Sequence, residues 1–199
     1  MPNAILRLAT GQDAAQIANI YAPYVLDTPI SFELDSPTAE EMGERITSTL
    51  AKTPWLVCEQ QGEIKGYAYA SPHRARAAYR WSVDVSAYVR RSVQRQGIGR
   101  ALYTALLNLL PLQGYANAYA GITLPNLASV GLHEALGFTP VGIYREVGYK
   151  LGRWHDVGWW QRSLGAHPAD PRDPLALQKV LGSPEWHAAL AKGQALLRG

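Results

Sequence analysis

Gln94-Arg95-Gln96-Gly97-Ile98-Gly99-Arg100 lies between an extended run, Trp81 to Val89, and a segment with Ile98, Ala101, Leu102, Ala105, Leu106 and Leu109 at helical spacing. The first turn of an α-helix carries backbone N–H groups without intrahelical partners and a partial positive charge. A strand, a glycine loop and a helix start in that order therefore suit a bound phosphate. The glycines let the backbone approach an anion closely, and Arg95 and Arg100 add charge-assisted hydrogen bonds. A dinucleotide fingerprint would need a third glycine where Leu102 stands, and a nucleoside-triphosphate loop would need Gly-Lys-Ser/Thr. A glycine-rich turn that merely opens a core helix would carry the same letters, so the stretch alone leaves two readings.

Upstream of it, Ala4 to Ala9 reads as a strand, and Thr10 offers an N-cap to a helix bearing Ile17, Ile20, Tyr21, Tyr24 and Val25. Ser36-Pro37-Thr38 with Glu40 and Glu41 starts a second helix, which Thr53-Pro54 stops. Trp55 to Glu59, a Gln61-Gly62 turn and Ile64 to Ala70 read as a hairpin. Downstream, the helix from Gly97 ends near Pro111, Ala116 to Ile122 is a strand, and Leu127 to Leu136 is a short helix closed by Gly137. Two strands, about Val141 to Tyr149 and Trp154 to Leu164, complete the pattern. The order predicts an α/β (α+β) fold, a mixed sheet with helices on its faces. Residues 1–165 form the domain; the three prolines from Ala166 begin a linker and helical extension, 166–199, with Leu175, Val180, Trp186, Leu190 and Leu197 as its apolar positions.

The chain has 199 residues, 47% hydrophobic and 18% charged, which suits one domain with a sizeable core. A net charge of +3 gives no argument for nucleic acid, and the Arg90 to Arg100 cluster is accounted for by one pyrophosphate. No apolar run approaches the roughly 20 residues of a membrane helix, and Met1 to Arg7 does not read as a secretory leader. A lone Cys58, inside Trp55-Leu56-Val57-Cys58, rules out an internal disulfide and reads as a buried thiol. The expectations are a cytoplasmic protein without metal or membrane.

Several blocks in order resemble one family. They are Trp55-Leu56-Val57, Gly66-Tyr67-Ala68-Tyr69-Ala70, Arg76 to Trp81, Tyr88-Val89 with the glycine loop, Leu124-Pro125-Asn126, His133 to Phe138, and Trp154-His155-Asp156-Val157-Gly158-Trp159-Trp160-Gln161. Over about residues 5 to 164 the chain resembles the phosphinothricin and methionine sulfoximine N-acetyltransferases of the GNAT superfamily. The resemblance implies a mostly antiparallel sheet with splayed central strands and acetyl-CoA as co-substrate. It also implies acetyl transfer by direct attack of a small acceptor's amine, and a homodimer.

On that resemblance the backbone of Ala87, Tyr88 and Val89 holds the pantetheine, as an added strand would. Gln94, Arg95, Gln96, Gly97, Ile98, Gly99 and Arg100 hold the pyrophosphate, and Asn126 and Ser129 add cofactor contacts. Asp84 stands where the family has a glutamate base, one methylene longer. His133 is a second candidate for proton transfer, whereas His155 reads as structural. Phe32, Arg74, Arg76 and Tyr79 line the acceptor pocket, two guanidinium groups and a phenol being suited to an acidic group. Glu33 is a weaker candidate for the acceptor's ammonium. Two other functions share these letters: acetylation of a peptide or protein N-terminus, and a non-catalytic CoA-binding module.

Overall fold

The structure, a computed structural model, describes residues 4–197; the reading of residues 1–3 as free of a leader lies outside them. Strand β1 (Ala4–Leu8) leads through a single 3-10 turn to α1 (Ala14–Leu26), then α2 (Ala39–Leu50), β2 (Trp55–Gln60) and β3 (Glu63–Pro72). β4 (Ser82–Val89), α3 (Ile98–Leu109), β5 (Asn117–Leu124), α4 (Leu127–Ala135), β6 (Thr139–Lys150) and β7 (Arg153–Ser163) follow, and α5 (Pro184–Ala195) comes last. The strands form one sheet in the order β1-β2-β3-β4-β5-β7-β6. Every neighbouring pair is antiparallel except β4 and β5.

Side-chain alternation gives this sheet two apolar faces, each needing a cover. On one face Ile17, Ile20 and Val25 of α1 and Met42 and Ile46 of α2 close over Trp55, Val57 and Tyr67. Thr38 fixes the start of α2 by a reciprocal cap: its hydroxyl accepts from the Glu41 N–H at 3.2 Å, and the Glu41 carboxylate accepts from the Thr38 N–H at 2.7 Å. On the other face α3 buries Ile98, Leu102, Leu106 and Leu109, each 0–1% exposed. Full burial of such a side chain contributes about 1.5–3 kcal/mol. Cys58 is in the same core, and burial pushes its thiol up to about 11.

The extension after residue 166 packs on this second face. Leu177, Val180, Trp186, Ala189 and Leu197 join the core that α3 occupies. Gly193 lets α5 close on α3, because a methyl group there would run into the Ala101 carbonyl. Gln194 then meets the outer edge of β1: its Oε1 accepts from the Leu6 N–H at 2.7 Å and its Nε2 donates to the Ala4 carbonyl at 2.6 Å.

One irregularity positions the site. The parallel ladder between β4 and β5 contains only Ser82–Asn117, Val83–Ala118 and Asp84–Tyr119. Beyond Asp84, β4 continues to Val89 beside β3 while β5 continues to Leu124 beside β7. The central strands therefore part, and the fork opens at Asp84.

Candidate active site

The cleft inside the fork is lined by Val85, Ser86, Ala87 and Tyr88 on one side and by Ala120, Gly121, Ile122 and Thr123 on the other. Antiparallel pairing decides which backbone groups face it. The His73 N–H donates to the Ser82 carbonyl and the Arg90 N–H to the Lys65 carbonyl. Alternation along the ladder then directs the backbone of Asp84, Ser86 and Tyr88 toward β3, and that of Val85, Ala87 and Val89 into the cleft. Of the three residues expected to pair with pantetheine, Ala87 and Val89 present backbone groups there. Tyr88 does not: its backbone is committed to β3, and its ring sits in an aromatic cluster, 4.9 Å from Tyr21 and 5.2 Å from Tyr24. The Val89 carbonyl already accepts from the Tyr24 hydroxyl at 2.5 Å.

The helix start completes this end of the cleft. Gly97 caps α3 in the left-handed region, at φ +81°, where a side chain is strained. The helical bond from the Ala101 N–H to the Gly97 carbonyl leaves the N–H groups of Ile98, Gly99 and Arg100 ahead of it. At Gly99 a methyl group would meet only ordinary contacts, 3.5 Å from Leu132 and 3.7 Å from Val89, so the backbone constraint falls on Gly97. The local arginines divide in two. Arg90 donates to the Ile64 carbonyl, and Arg91 pairs with Asp27 at 2.9 Å. Arg95 and Arg100 are exposed, and their side chains make no hydrogen bond or ion pair among the described residues. Gln96 is exposed as well, whereas the Gln94 amide donates to the Tyr24 hydroxyl at 2.9 Å and braces the loop. A strand edge running toward a helix start with two uncommitted guanidinium groups fits an extended thioester cofactor that ends in a pyrophosphate.

Side chains gather at the opposite end of the cleft, around Asp84. Its Oδ1 lies 2.6 Å from His73 Nδ1. The His73 ring stacks on Tyr119, centroids 4.2 Å apart, with Tyr79 at 6.0 Å and Trp159 at 5.9 Å edge-on. The Arg74 guanidinium lies over the Trp159 ring, 5.4 Å from its centroid. Trp159 fits because residue 121 is glycine: a Cβ there would stand 3.3 Å from the indole. Burial pushes the Asp84 carboxyl above the usual range, and the hydrogen bond and charge of His73 and the charge of Arg74 pull it part of the way back.

Residues 6–159 match the model of the acetyltransferase (GNAT) domain family. The chain belongs to that family. The phosphinothricin N-acetyltransferase of Streptomyces viridochromogenes is 43% identical over 84% of this chain and 91% of its own length. The L-methionine sulfoximine/L-methionine sulfone acetyltransferase of Salmonella typhimurium is 34% identical over 82% of this chain and 96% of its own. Among solved structures, the GNAT superfamily phosphinothricin acetyltransferase of Sinorhizobium meliloti in complex with AcCoA is 35% identical, with a TM-score of 0.81 over 85% of this chain and 94% of that one. The protein is an acetyl-CoA-dependent N-acetyltransferase.

Within this GNAT cleft Asn126 caps α4, its side chain accepting from the Ser129 N–H at 3.1 Å, and both residues line the wall. His133 lies one turn further on, and its bonding differs from that of an acid. The Ser129 carbonyl, 2.7 Å away, can only accept, so the imidazole proton sits on Nδ1. Nε2 is left to accept from the Tyr103 hydroxyl at 3.2 Å. Burial depresses the imidazole, partly offset by the Ser129 bond, and keeps it neutral. In this arrangement His133 orients Tyr103 instead of donating a proton itself.

The acceptor-side residues separate. Arg74 and Tyr79 join the group around Asp84. Arg76 is exposed, at the start of the 3-10 turn that carries Tyr79, and its side chain makes no hydrogen bond or ion pair among the described residues. Phe32 packs on Gly148 of β6, with its ring 6.3 Å from that of His155. Its loop is anchored by Lys150, whose Nζ donates to the Val25, Ser31 and Glu33 carbonyls, and the same loop puts Ile30 on the cleft wall. His155 serves the structural purpose expected of it, bonding the Lys150 carbonyl through Nε2 at 3.0 Å. The Glu33 carboxylate is taken by a fork from Arg45, at 2.7 and 3.0 Å, and is not placed for a substrate ammonium.

Four residues gathered here are given no part in the site by the sequence: His73, Tyr103, Tyr119 and Trp159, the last of which reads as strand core or dimer surface. Trp159 lies in one of the blocks that carry the resemblance, but only the fold shows that it covers Gly121 and that Tyr103 lines the fork. A larger groove of about 710 Å³ lies under the Pro-rich segment near Trp81 and Tyr115, and neither Asp84 nor the residues gathered around it line it. Among the described residues no group of three or more His, Cys, Asp or Glu could hold a metal ion. No helix of the described chain is long and apolar enough to cross a membrane.

Proposed function

We propose that the chain acetylates the amine of a small amino acid analogue bearing a second acidic or strongly polar group, of the phosphinothricin, methionine sulfoximine or methionine sulfone type. The observation that carries this reading is the position of Asp84. It is the last β4 residue paired with β5, so a carboxylate stands where the cofactor cleft begins, beside Arg74 and Tyr79. Acetyl-CoA supplies an activated acetyl group along the β4 edge, with its pyrophosphate at Gln94 to Arg100. Arg74, Arg76 and Tyr79 meet the acceptor's acidic end, and Phe32 helps to close the pocket. The Trp159 indole N–H, enclosed and without a hydrogen-bond partner among the described residues, adds a donor near Arg74.

The side chains then have separable tasks. Asp84 draws the ammonium toward the fork and favours loss of its proton. Tyr103, kept protonated by its burial, has one hydroxyl proton, and turning it from His133 Nε2 to the sulfur donates a hydrogen bond as negative charge develops there. The proposal includes a homodimer. Val141, Ile143, Tyr144, Val147, Tyr149 and Trp154 are each 48–59% exposed on the β6–β7 hairpin, apolar side chains that a second copy of the chain would cover. It also includes the cytoplasm, where acetyl-CoA is available.

Release of the CoA thiol measures the reaction directly. Methionine sulfone, methionine sulfoximine, phosphinothricin, ordinary amino acids and a short peptide serve as acceptors. Turnover confined to the sulfone-, sulfoximine- or phosphinate-bearing acceptors is expected. Preference for the peptide would favour N-terminal acetylation, and acetyl-CoA binding without turnover would favour a binding module. Arg76→Ala should raise the acceptor KM severalfold and leave that of acetyl-CoA unchanged; equal effects on both would remove Arg76 from the acceptor pocket.

A further inference from the structure

We propose that His73 is the base that takes the acceptor's proton, with Asp84 as the carboxylate that orients it. This rests on the acetyltransferase reading above and specifies how its proton leaves. An ionised carboxylate can only accept, so the 2.6 Å contact puts the imidazole proton on Nδ1, facing Asp84. Nε2 then carries the lone pair, and among the described residues no group hydrogen-bonds to it. The ring is held on several sides, by the Tyr119 stack and by the edges of Tyr79 and Trp159, so its two nitrogens cannot exchange places without disturbing the site. Such a His–carboxylate arrangement fixes both tautomer and direction, as it does in hydrolytic triads.

Chemistry and reach favour the imidazole over the carboxylate. A base is most effective when it titrates near the working pH, which imidazoles as a class do and ordinary carboxylates do not. Asp84 is also a short side chain on the strand itself, whereas His73 extends from it among Tyr79, Arg74 and Trp159, the groups assigned to the acceptor. The groups around the ring are Asp84 from β4, Tyr119 from β5, Trp159 from β7, and Arg74 and Tyr79 from its own loop. Asp84 and Arg74 are the charged ones. The step balances: the ammonium gives one proton to His73 Nε2, which passes it to solvent. The freed nitrogen pair forms the C–N bond, and the C–S bond breaks with its electrons going to sulfur. The second nitrogen proton ends on the CoA thiol.

The test compares wild type with His73→Gln, which can still donate to Asp84 but cannot take a proton, using the best acceptor from the thiol-release panel. We expect kcat to fall about 100-fold or more, with the acetyl-CoA KM unchanged. Added imidazole should restore part of the rate to His73→Ala. A kcat within about threefold of wild type would overturn the proposal and make Asp84 the base. Nitrogen-15 NMR of wild-type imidazoles tests it without turnover: His73 should show the Nδ1–H tautomer, released in Asp84→Asn, and an Nε2–H tautomer in wild type would sink it. A wild type inactive on every acceptor defeats the acetyltransferase reading, whereas an active wild type matched by His73→Gln defeats the dyad alone.

Discussion

The two ends of the cleft are made of different material. At the end proposed for the cofactor the groups on offer are backbone: the edge of β4 at Ala87 and Val89, and the first N–H groups of α3 behind Gly97. At the end proposed for the acceptor they are side chains from separate parts of the chain, with His73 and Arg74 on a loop, Asp84 on β4, Tyr119 on β5 and Trp159 on β7. A backbone site depends on strand direction and on one left-handed glycine, so it survives many substitutions around it. A side-chain site depends on each residue and on the register that joins them. The first suits a cofactor that never changes, and the second suits an acceptor that varies among relatives.

Substitutions at the two ends should therefore separate in kinetics. The largest effect belongs to Asp84→Asn, with kcat reduced by about 10²–10⁴ while acetyl-CoA affinity, measured by calorimetry, stays within about twofold. A matching loss of acetyl-CoA affinity would show that the two ends are not independent. The same variant has an opposite effect on stability. A carboxyl raised in the folded state contributes its stability fully below the unfolded carboxylate value, and that contribution is lost as pH rises through the folded value. Asp84→Asn should thus melt higher than wild type at neutral pH, with the difference shrinking on acidification through the carboxylate range.

Gly97→Ala tests the other end. A side chain in the left-handed region costs about 1–2 kcal/mol, which predicts roughly tenfold weaker acetyl-CoA binding or a comparable loss of stability. Gly99→Ala should do less, because its methyl group meets only ordinary contacts. Equal losses at the two positions would mean that close approach of the ligand, not backbone conformation, sets the requirement. The smallest effect is expected for Arg74→Ala, which loses a stacked guanidinium worth about 0.5–1 kcal/mol and should raise the acceptor KM about two- to fivefold without moving that of acetyl-CoA.

The same division explains what the sequence made legible. Ile98 to Leu109 announced a buried helix by its period, and Gly97 announced a helix start bare of side chains, so the cofactor end followed from local rules. The fork at Asp84 was implied by resemblance, since no period marks where a ladder ends. His73, next to Arg74 in the chain, carries no signal of a role in the sequence. Its contact with Asp84 exists only because β3 and β4 pair in a register that sets Ser71 opposite Asp84. Tyr119 and Trp159 were harder still, because their place requires the order β4-β5-β7. His133 was legible as a family position, but its tautomer depends on a carbonyl one turn away. For Tyr88 the ambiguity was strand phase: which residues turn their backbone outward is set by pairing, and a single strand read alone does not contain it.

The contact of Gln194 with β1 has a consequence for how the molecule lives among its copies. β1 ends the sheet, and its outward N–H and carbonyl groups are a template on which any extended segment could lay itself. One glutamine amide, presenting a donor and an acceptor side by side, answers Leu6 and Ala4 as a neighbouring strand would. The tail outside the family resemblance thus acts as a guard against unwanted company. Cut away, it would bare that edge together with the face of α3 that Leu177 and Trp186 help to bury, and leave a molecule inclined to stack into sheets with itself.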